Sequence, residues 1–202
     1  ATDYRRELDL DAAMATTRFV AGGVEHVRQV IASPDDGVIA IRLTTSGRGK
    51  LDVDIGLTSP QEGAATNVVN NAALLMTGTN GSSQGKTGRL RFAARVAVLP
   101  EGGRLSAGPD NMLRLTGANA VTLLIAMATS YRRYDDISGD PEALTADVLA
   151  RAVRRGFAAI AADATARHRK MFRRVAIDLG SSAAASQPTD IRISTSQTND
   201  DP

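Results

Sequence analysis

Side chains able to do acid–base, nucleophilic or metal chemistry are few in this chain of 202 residues, which has two histidines and no cysteine. The lack of cysteine removes disulfides, thiolate metal sites and cysteine nucleophiles. His26 stands between Glu25 and Val27 at a strand position, with no second His at ligand spacing, and reads as a structural or surface residue. His168 lies among Arg167, Arg169 and Lys170 on a helical stretch and reads as an interface or capping residue. Glu7, Asp9 and Asp11 recur at period two, which would line one strand face and offer oxygen ligands to calcium. The glycine-bearing loop of a calcium motif is missing, so a solvated face is the simpler reading. Asp135, Asp136 and Asp140 cluster before a helix, where turn formation, capping and the helix dipole account for them.

Hydrolysis of a sugar linkage would need two carboxyl groups set across the ring. Glu7 with Asp135 and Asp136 is the one trio to check for that role. The stacking aromatics that accompany sugar sites are scarce, with no Trp, three Tyr and four Phe. Lys50, Lys86 and Lys170 follow no phosphate-loop pattern, and the serines are read as lying outside any G-x-S-x-G elbow. The residues alone designate no catalytic, cofactor-binding or metal-ligating centre.

The elements that would position these groups are mainly strands. Tyr4 to Leu10, Ala12 to Val20 and Val24 to Ile31 follow one another, with Gly22-Gly23 as a hairpin signal. Ser33-Pro34-Asp35-Asp36-Gly37 closes the third. Val38 to Leu43 alternates, Ile39, Ile41 and Leu43 sharing a face that Arg42 avoids. Leu51 to Leu57 repeats the pattern. Strands separated by turns at such short intervals predict a sandwich or barrel rather than βαβ units. From Ser59 to Gly88 the signal weakens to one strand, Ala72 to Met76, inside a long surface loop. Leu90 to Leu99, Arg104 to Ser106 and Met112 to Thr116 resume the strands. Ala120 to Ala128 is nearly all apolar and predicts a strand buried on both faces.

After Tyr134 the period changes. Asp140 is placed as an N-cap with Pro141 at the first helical position. Leu144, Val148, Leu149 and Val153 recur at helical spacing, Gly156 interrupts, and Phe157 to Phe172 resumes with Ile160, Ala164 and Met171 on one stripe. The stripe is read as packing on the sandwich. Val175 to Leu179 reads as a last short strand, Gly180 to Pro188 as a linker, and Thr189 to Pro202 as a tail without a core.

Charge and composition bound the partners. With 24 basic and 22 acidic residues, the net charge is only +2, and aromatics are 3%. Neither a basic stripe nor stacking aromatics point to nucleic acid. No apolar run of about 18 residues is present to span a membrane. Nothing here fixes a compartment, and an exported or periplasmic bacterial parent is compatible with it.

Beyond physics, several stretches carry a family likeness in their order. They begin with Tyr4-Arg5-Arg6-Glu7-Leu8-Asp9-Leu10-Asp11 and Arg28-Gln29-Val30-Ile31-Ala32-Ser33. Val38-Ile39-Ala40-Ile41-Arg42-Leu43, Ser59-Pro60-Gln61, Leu90-Arg91-Phe92, Glu101-Gly102-Gly103 and Ala128-Thr129-Ser130-Tyr131 follow. The most specific are Tyr134-Asp135-Asp136-Ile137-Ser138-Gly139-Asp140-Pro141 and His168-Arg169-Lys170-Met171-Phe172-Arg173-Arg174-Val175, with Asp178-Leu179-Gly180 and Pro188-Thr189-Asp190 closing the series. Together these resemble the N-terminal domain of glycoside hydrolase family 95, the α-L-fucosidases and their relatives. The resemblance implies a β-sandwich leading through a helical linker into an (α/α)6 barrel. That barrel would carry the catalytic residues and remove terminal α-linked fucose with inversion. None of the barrel motifs occurs in this chain.

The likeness has departures. The family's tryptophan-containing opening segment is missing, Ala93 stands where an acidic residue is expected, and Gly156 lies inside the linker helix. Whether the sandwich is complete at its N-terminus stays open, and exposed edges would favour a homodimer.

The expectation is therefore a mainly β chain: a large antiparallel β-sandwich over 1–134, a helical linker segment over 135–180, and a flexible tail over 181–202. It would be non-catalytic, with the parent's barrel as its partner and a glycan met through the parent. Barrel docking would require an apolar patch on the helical segment. The alternatives are a stand-alone carbohydrate-binding module, which needs aromatics along one face, and a complete small hydrolase built on Glu7, Asp135 and Asp136.

Overall fold

The computed structural model describes residues 1–178 and 180–196. Ala1–Arg169 forms one compact unit, and the chain from Lys170 onward forms a second. The first unit contains two antiparallel sheets and most of a long helix. Its strands are β1 (Thr2–Asp9), β2 (Met14–Ala21), β3 (Val24–Ser33), β4 (Val38–Thr45), β5 (Leu51–Ile55), β6 (Ala65–Val69), β7 (Ala73–Thr79), β8 (Arg91–Glu101), β9 (Arg104–Ala107), β10 (Leu113–Ala118) and β11 (Ala120–Thr129). The eight-stranded sheet runs β1-β2-β3-β4-β11-β8-β7-β6, and the three-stranded sheet runs β5-β10-β9. The helix α1 (Pro141–Phe172) follows them.

β11 is the hub. It pairs with β4 along Ala120–Ile125 and with β8 along its full length. Its side chains alternate between two cores, as a strand's must. Leu124 and Ala126 point to a cluster with Ile31, Val38 and Ala40, which α1 covers through Leu149, Ala152, Ile160 and Ala164. Val121, Leu123 and Ile125 point the other way, to Leu74, Val96 and Val98, where the small sheet supplies Leu51, Ile55, Leu113 and Leu115. The continuous apolar run of β11 thus has its predicted cause as far as Ala126, where both faces are covered, whereas Met127 is exposed.

The two covers are offset. The α1 core draws on β2, β3, β4, β11 and β8, with Met14, Ala97 and Leu99 packed against it. The small-sheet core instead draws on β4, β11, β8, β7 and β6, taking in Leu43 and Val68. Only the central strands have both faces covered.

In α1, Gly156 has φ 72 and ψ 165, a conformation that side-chain-bearing residues avoid, and the helix is kinked there. Thr145 bonds back to the Pro141 carbonyl at 3.0 Å. The expected apolar stripe is realised at Leu149, Ile160 and Ala164, with Val148 and Phe157 partly buried beside them. Leu144 and Val153 are exposed, because nine residues at about 100° each set them on opposite flanks of the buried stripe. They form no joint apolar patch, and Met171 is also exposed.

Two further expectations need correction. The stretch 59–88 is not one strand within a loop, since β6 and β7 form a hairpin from Ala65↔Thr77 to Val69↔Ala73. Its turn uses Asn70 and Asn71 at φ 50, a left-handed backbone that asparagine tolerates. The alternation in β6 is too short and polar to read from sequence. No strand forms over 175–178, and Leu179 lies outside the described residues. The second unit holds a 3-10 turn at Ala183–Ser186, capped by Ser182, and α2 (Thr189–Thr195), neither with a buried residue. The remainder of the expected tail, 197–202, lies outside the described residues.

Candidate functional site

The carboxylate trio is not brought together. Glu7 lies on β1, at the edge of the large sheet, whereas Asp135 and Asp136 follow β11, four strands away in the order. Four strand spacings are roughly 19 Å, well beyond the separation at which two carboxyls act on one sugar bond. Each member is also engaged locally. Glu7 accepts from Arg5 Nε at 2.9 Å, and Asp135 pairs with Arg133 at 2.8 Å. Asp136 accepts from the Ser138 N–H at 2.8 Å; hydrogen bonds from Ser138 hold its carboxyl below the usual range.

The period-two row breaks for a structural reason. β1 stops at Asp9, whose Oδ1 accepts from the backbone N–H groups of Asp11 and Ala12 at 2.9 Å each, turning the chain. Asp11 then accepts from Arg169 Nε at 2.8 Å. His168 Nε2 lies 2.7 Å from the Leu10 carbonyl, and Thr165 Oγ1 donates to the Ala12 carbonyl at 2.9 Å. Arg155 reaches Asp36 at 2.7 Å and also pairs with Asp163, while Arg167 pairs with Asp35. The acidic turns beside β1 and β3 therefore latch the second half of α1 to the sheet. Asp140 caps the helix, accepting from the Glu142 and Ala143 N–H groups at 3.1 Å. His26 stacks on Phe19 with ring centroids 4.9 Å apart. No group of three His, Cys, Asp or Glu side chains able to hold a metal occurs among the described residues.

The larger depression of about 430 Å³ lies at the loop joining β7 to β8, lined by Asn80, Ser83, Lys86, Thr87, Arg89 and Ile137 among others. Asn80 organises the loop: its N–H donates to the Leu90 carbonyl at 3.0 Å, and its Oδ1 accepts from the Leu90 N–H at 2.8 Å. A Cβ on Gly88 would fall 1.8 Å from the Asn80 carbonyl, so only glycine fits. Within this loop Gly81-Ser82-Ser83-Gln84-Gly85 spells G-x-S-x-G, against the expectation that no serine stands in that motif. The serine elbow needs a strand-to-helix turn, whereas this segment joins two antiparallel strands, and Ser83 is paired with Lys86 in a tight turn. The lining contains cations and hydroxyls but no carboxylate. It can donate hydrogen bonds; it has no acid–base pair.

A second depression of about 180 Å³ surrounds Asp54 and Arg114 on the small sheet. These two form a bidentate pair at 2.7 and 2.8 Å, and the guanidinium holds the Asp54 carboxyl low.

Residues 1–134 match the N-terminal domain of glycosyl hydrolase family 65. The chain belongs to that family. The resemblance read from the ordered motifs was to family 95; what is shown is a glycoside-hydrolase N-terminal domain of family 65. No curated protein matches. Among solved structures, a putative kojibiose phosphorylase from human microbiome is similar in fold, with a TM-score of 0.52 and 12% identity over 85% of this chain. This chain spans 23% of that one.

Proposed function

We propose that this chain is the non-catalytic N-terminal β-domain of a larger, α-L-fucosidase-like glycoside hydrolase, whose separate (α/α)6 barrel removes terminal α-linked fucose with inversion. The observation that carries the reading is the family membership of residues 1–134. The scattered carboxylates agree with it, since Glu7, Asp135 and Asp136 are each committed to local contacts and cannot face one sugar. The fucose specificity rests on the ordered motifs alone, above all Tyr134 to Pro141 and His168 to Val175. In this arrangement the β-domain presents a rigid sheet to the barrel. Residues 135–180 link the two, 181–202 lead onward, and the barrel supplies the acid and the base that activates water.

The test is hydrolysis of an aryl α-L-fucoside by this chain and by the longest product of its gene. Activity confined to the longer product supports the proposal. Activity in the 202-residue chain overturns the non-catalytic assignment. Phosphate-dependent cleavage of kojibiose by the longer product, without fucoside hydrolysis, overturns the specificity and favours the activity named for the similar solved chain.

A further inference from the structure

The offset of the two covers leaves the small-sheet side of the large sheet open over β1, β2 and β3. Register fixes which residues stand there. Leu43 packs toward the small sheet. Arg28 pairs with Leu43, Thr17 with Arg28, and Arg6 with Thr17. Residues directly opposite each other share a face, so Arg6, Thr17 and Arg28 form one row on the open side. Two residues along, Phe19 and His26 pair and stack on that same side. Arg6 and Arg28 are exposed, and Thr17, Phe19 and His26 are half-buried.

Charge is divided unevenly between the two faces of these strands. On the α1 side, Arg5 pairs with Glu7 and Arg18 with Glu25. On the open side, no position of β2 or β3 is acidic, and the β1 residues there are Arg6 and Leu8. The bulge between Thr2 and Arg5 takes Asp3 out of the alternation, and its carboxylate accepts from Thr2 Oγ1 at 3.1 Å. Arg6 and Arg28 enter no ion pair among the described residues.

A guanidinium holds its donors in a planar fork that the two oxygens of a carboxylate match. Arg6 and Arg28 stand two strand spacings apart, roughly 10 Å. Each can therefore hold a carboxylate of its own, with the Thr17 hydroxyl between them. The Phe19–His26 stack adds ring surface beside the row. Neither depression described above includes these residues, so the strip suits a chain laid across it rather than a small ligand held in a cavity.

We propose that this strip binds an acidic polysaccharide, with uronic acid carboxylates on Arg6 and Arg28 beside the Phe19–His26 stack. The saccharide class rests on the reading under Proposed function; the call for negative charge rests on the row alone. A second copy placed here about a two-fold axis would set Arg6 and Arg28 against their own counterparts, with no carboxylate to separate them.

Calorimetric titration of the 202-residue chain with trigalacturonate at low salt tests it. Arg6→Gln and Arg28→Gln are each expected to weaken binding roughly tenfold or more. Lys86→Gln, which removes an exposed cation of the β7–β8 loop, is expected to leave it unchanged, and neutral maltotriose is expected not to bind. All three side chains are exposed, so the variants should keep the parent's Tm. Absence of trigalacturonate binding overturns the proposal, as does equally tight binding by both arginine variants. Loss of binding in Lys86→Gln overturns it by moving the site to the loop. Maltotriose bound as tightly as trigalacturonate removes the role of charge and overturns it, and hexathymidylate bound more tightly overturns it in favour of nucleic acid. Fucoside hydrolysis by the longest gene product is scored separately: hydrolysis without trigalacturonate binding sinks only the strip, and binding without hydrolysis sinks only the enzymatic reading.

Discussion

The two covers of the large sheet solve the same problem with different side chains. Under α1 four of the nine buried residues are alanines, Ala40 and Ala126 on the sheet and Ala152 and Ala164 on the helix. Beneath the small sheet the contact is Leu, Ile and Val, with Ala118 the only buried alanine of that cluster. Two sheets pack about 10 Å apart, a gap that only branched side chains fill. A helix laid on a sheet comes close only where side chains are short. Each cover is thus matched to its own spacing, and neither set would serve the other.

The comparison is sharpened first by removing one large side chain from each core. Leu124→Ala on the α1 side and Leu115→Ala on the other, both with 0% exposure in the folded chain, should each cost about 2–5 kcal/mol in chemical denaturation. Hydrogen exchange should separate them. The first lesion frees amides of α1, and the second frees those of β5, β9 and β10. Equal loosening of both covers by either change would mean one core rather than two.

A smaller effect is expected from overfilling. Ala152, fully buried against the sheet, has no room for three extra heavy atoms, and Ala152→Leu should cost about 1–3 kcal/mol. A neutral result would show that α1 floats on its face and that its alanines do not set the spacing.

The smallest effect concerns pH. Arg42, on the α1 side of β4, pairs with Glu101 at 2.7 Å and donates to Thr122 Oγ1 at 3.0 Å. Hydrogen bonding from Arg42 lowers the Glu101 pKa from its ordinary 4.5. A lowered carboxyl contributes stability above its unfolded pKa and loses it as pH falls through the folded value. The Glu101 side chain is 55% exposed, so the gain is about 0.2–1 kcal/mol. Arg42→Gln should erase it, flattening the denaturation midpoint below about pH 4.5 relative to the parent. An unchanged acid limb would assign the pair no role in holding the strands.

Much of the strand content was legible because polar residues interrupt the apolar positions at period two, Arg42 in β4 and Arg91 and Arg95 in β8. The apolar run of β11 announced a doubly buried strand, and the Asp140-Pro141 pair announced the start of α1. The hairpin of β6 and β7 escaped because β6 offers only five residues, Ala65–Val69, none of them buried. Its strand state depends on pairing with β7 rather than on its own pattern. The carboxylates were legible as candidates only. Period two placed Glu7, Asp9 and Asp11 on one face, yet the turn made by Asp9 ended the strand before the row could form.

A mainly β chain with a helical C-terminal segment, a helix broken at Gly156 and a β11 that runs through the interior all follow from the order of residues. Those are local matters of period, propensity and backbone freedom, carried by neighbouring residues. Which layer covers which face, and that the two covers are offset, was settled only by tertiary packing. Such outcomes depend on pairings between strands distant in the chain, β11 with β4 and β8 above all. A one-dimensional pattern records that a face is apolar, but not what will be laid against it.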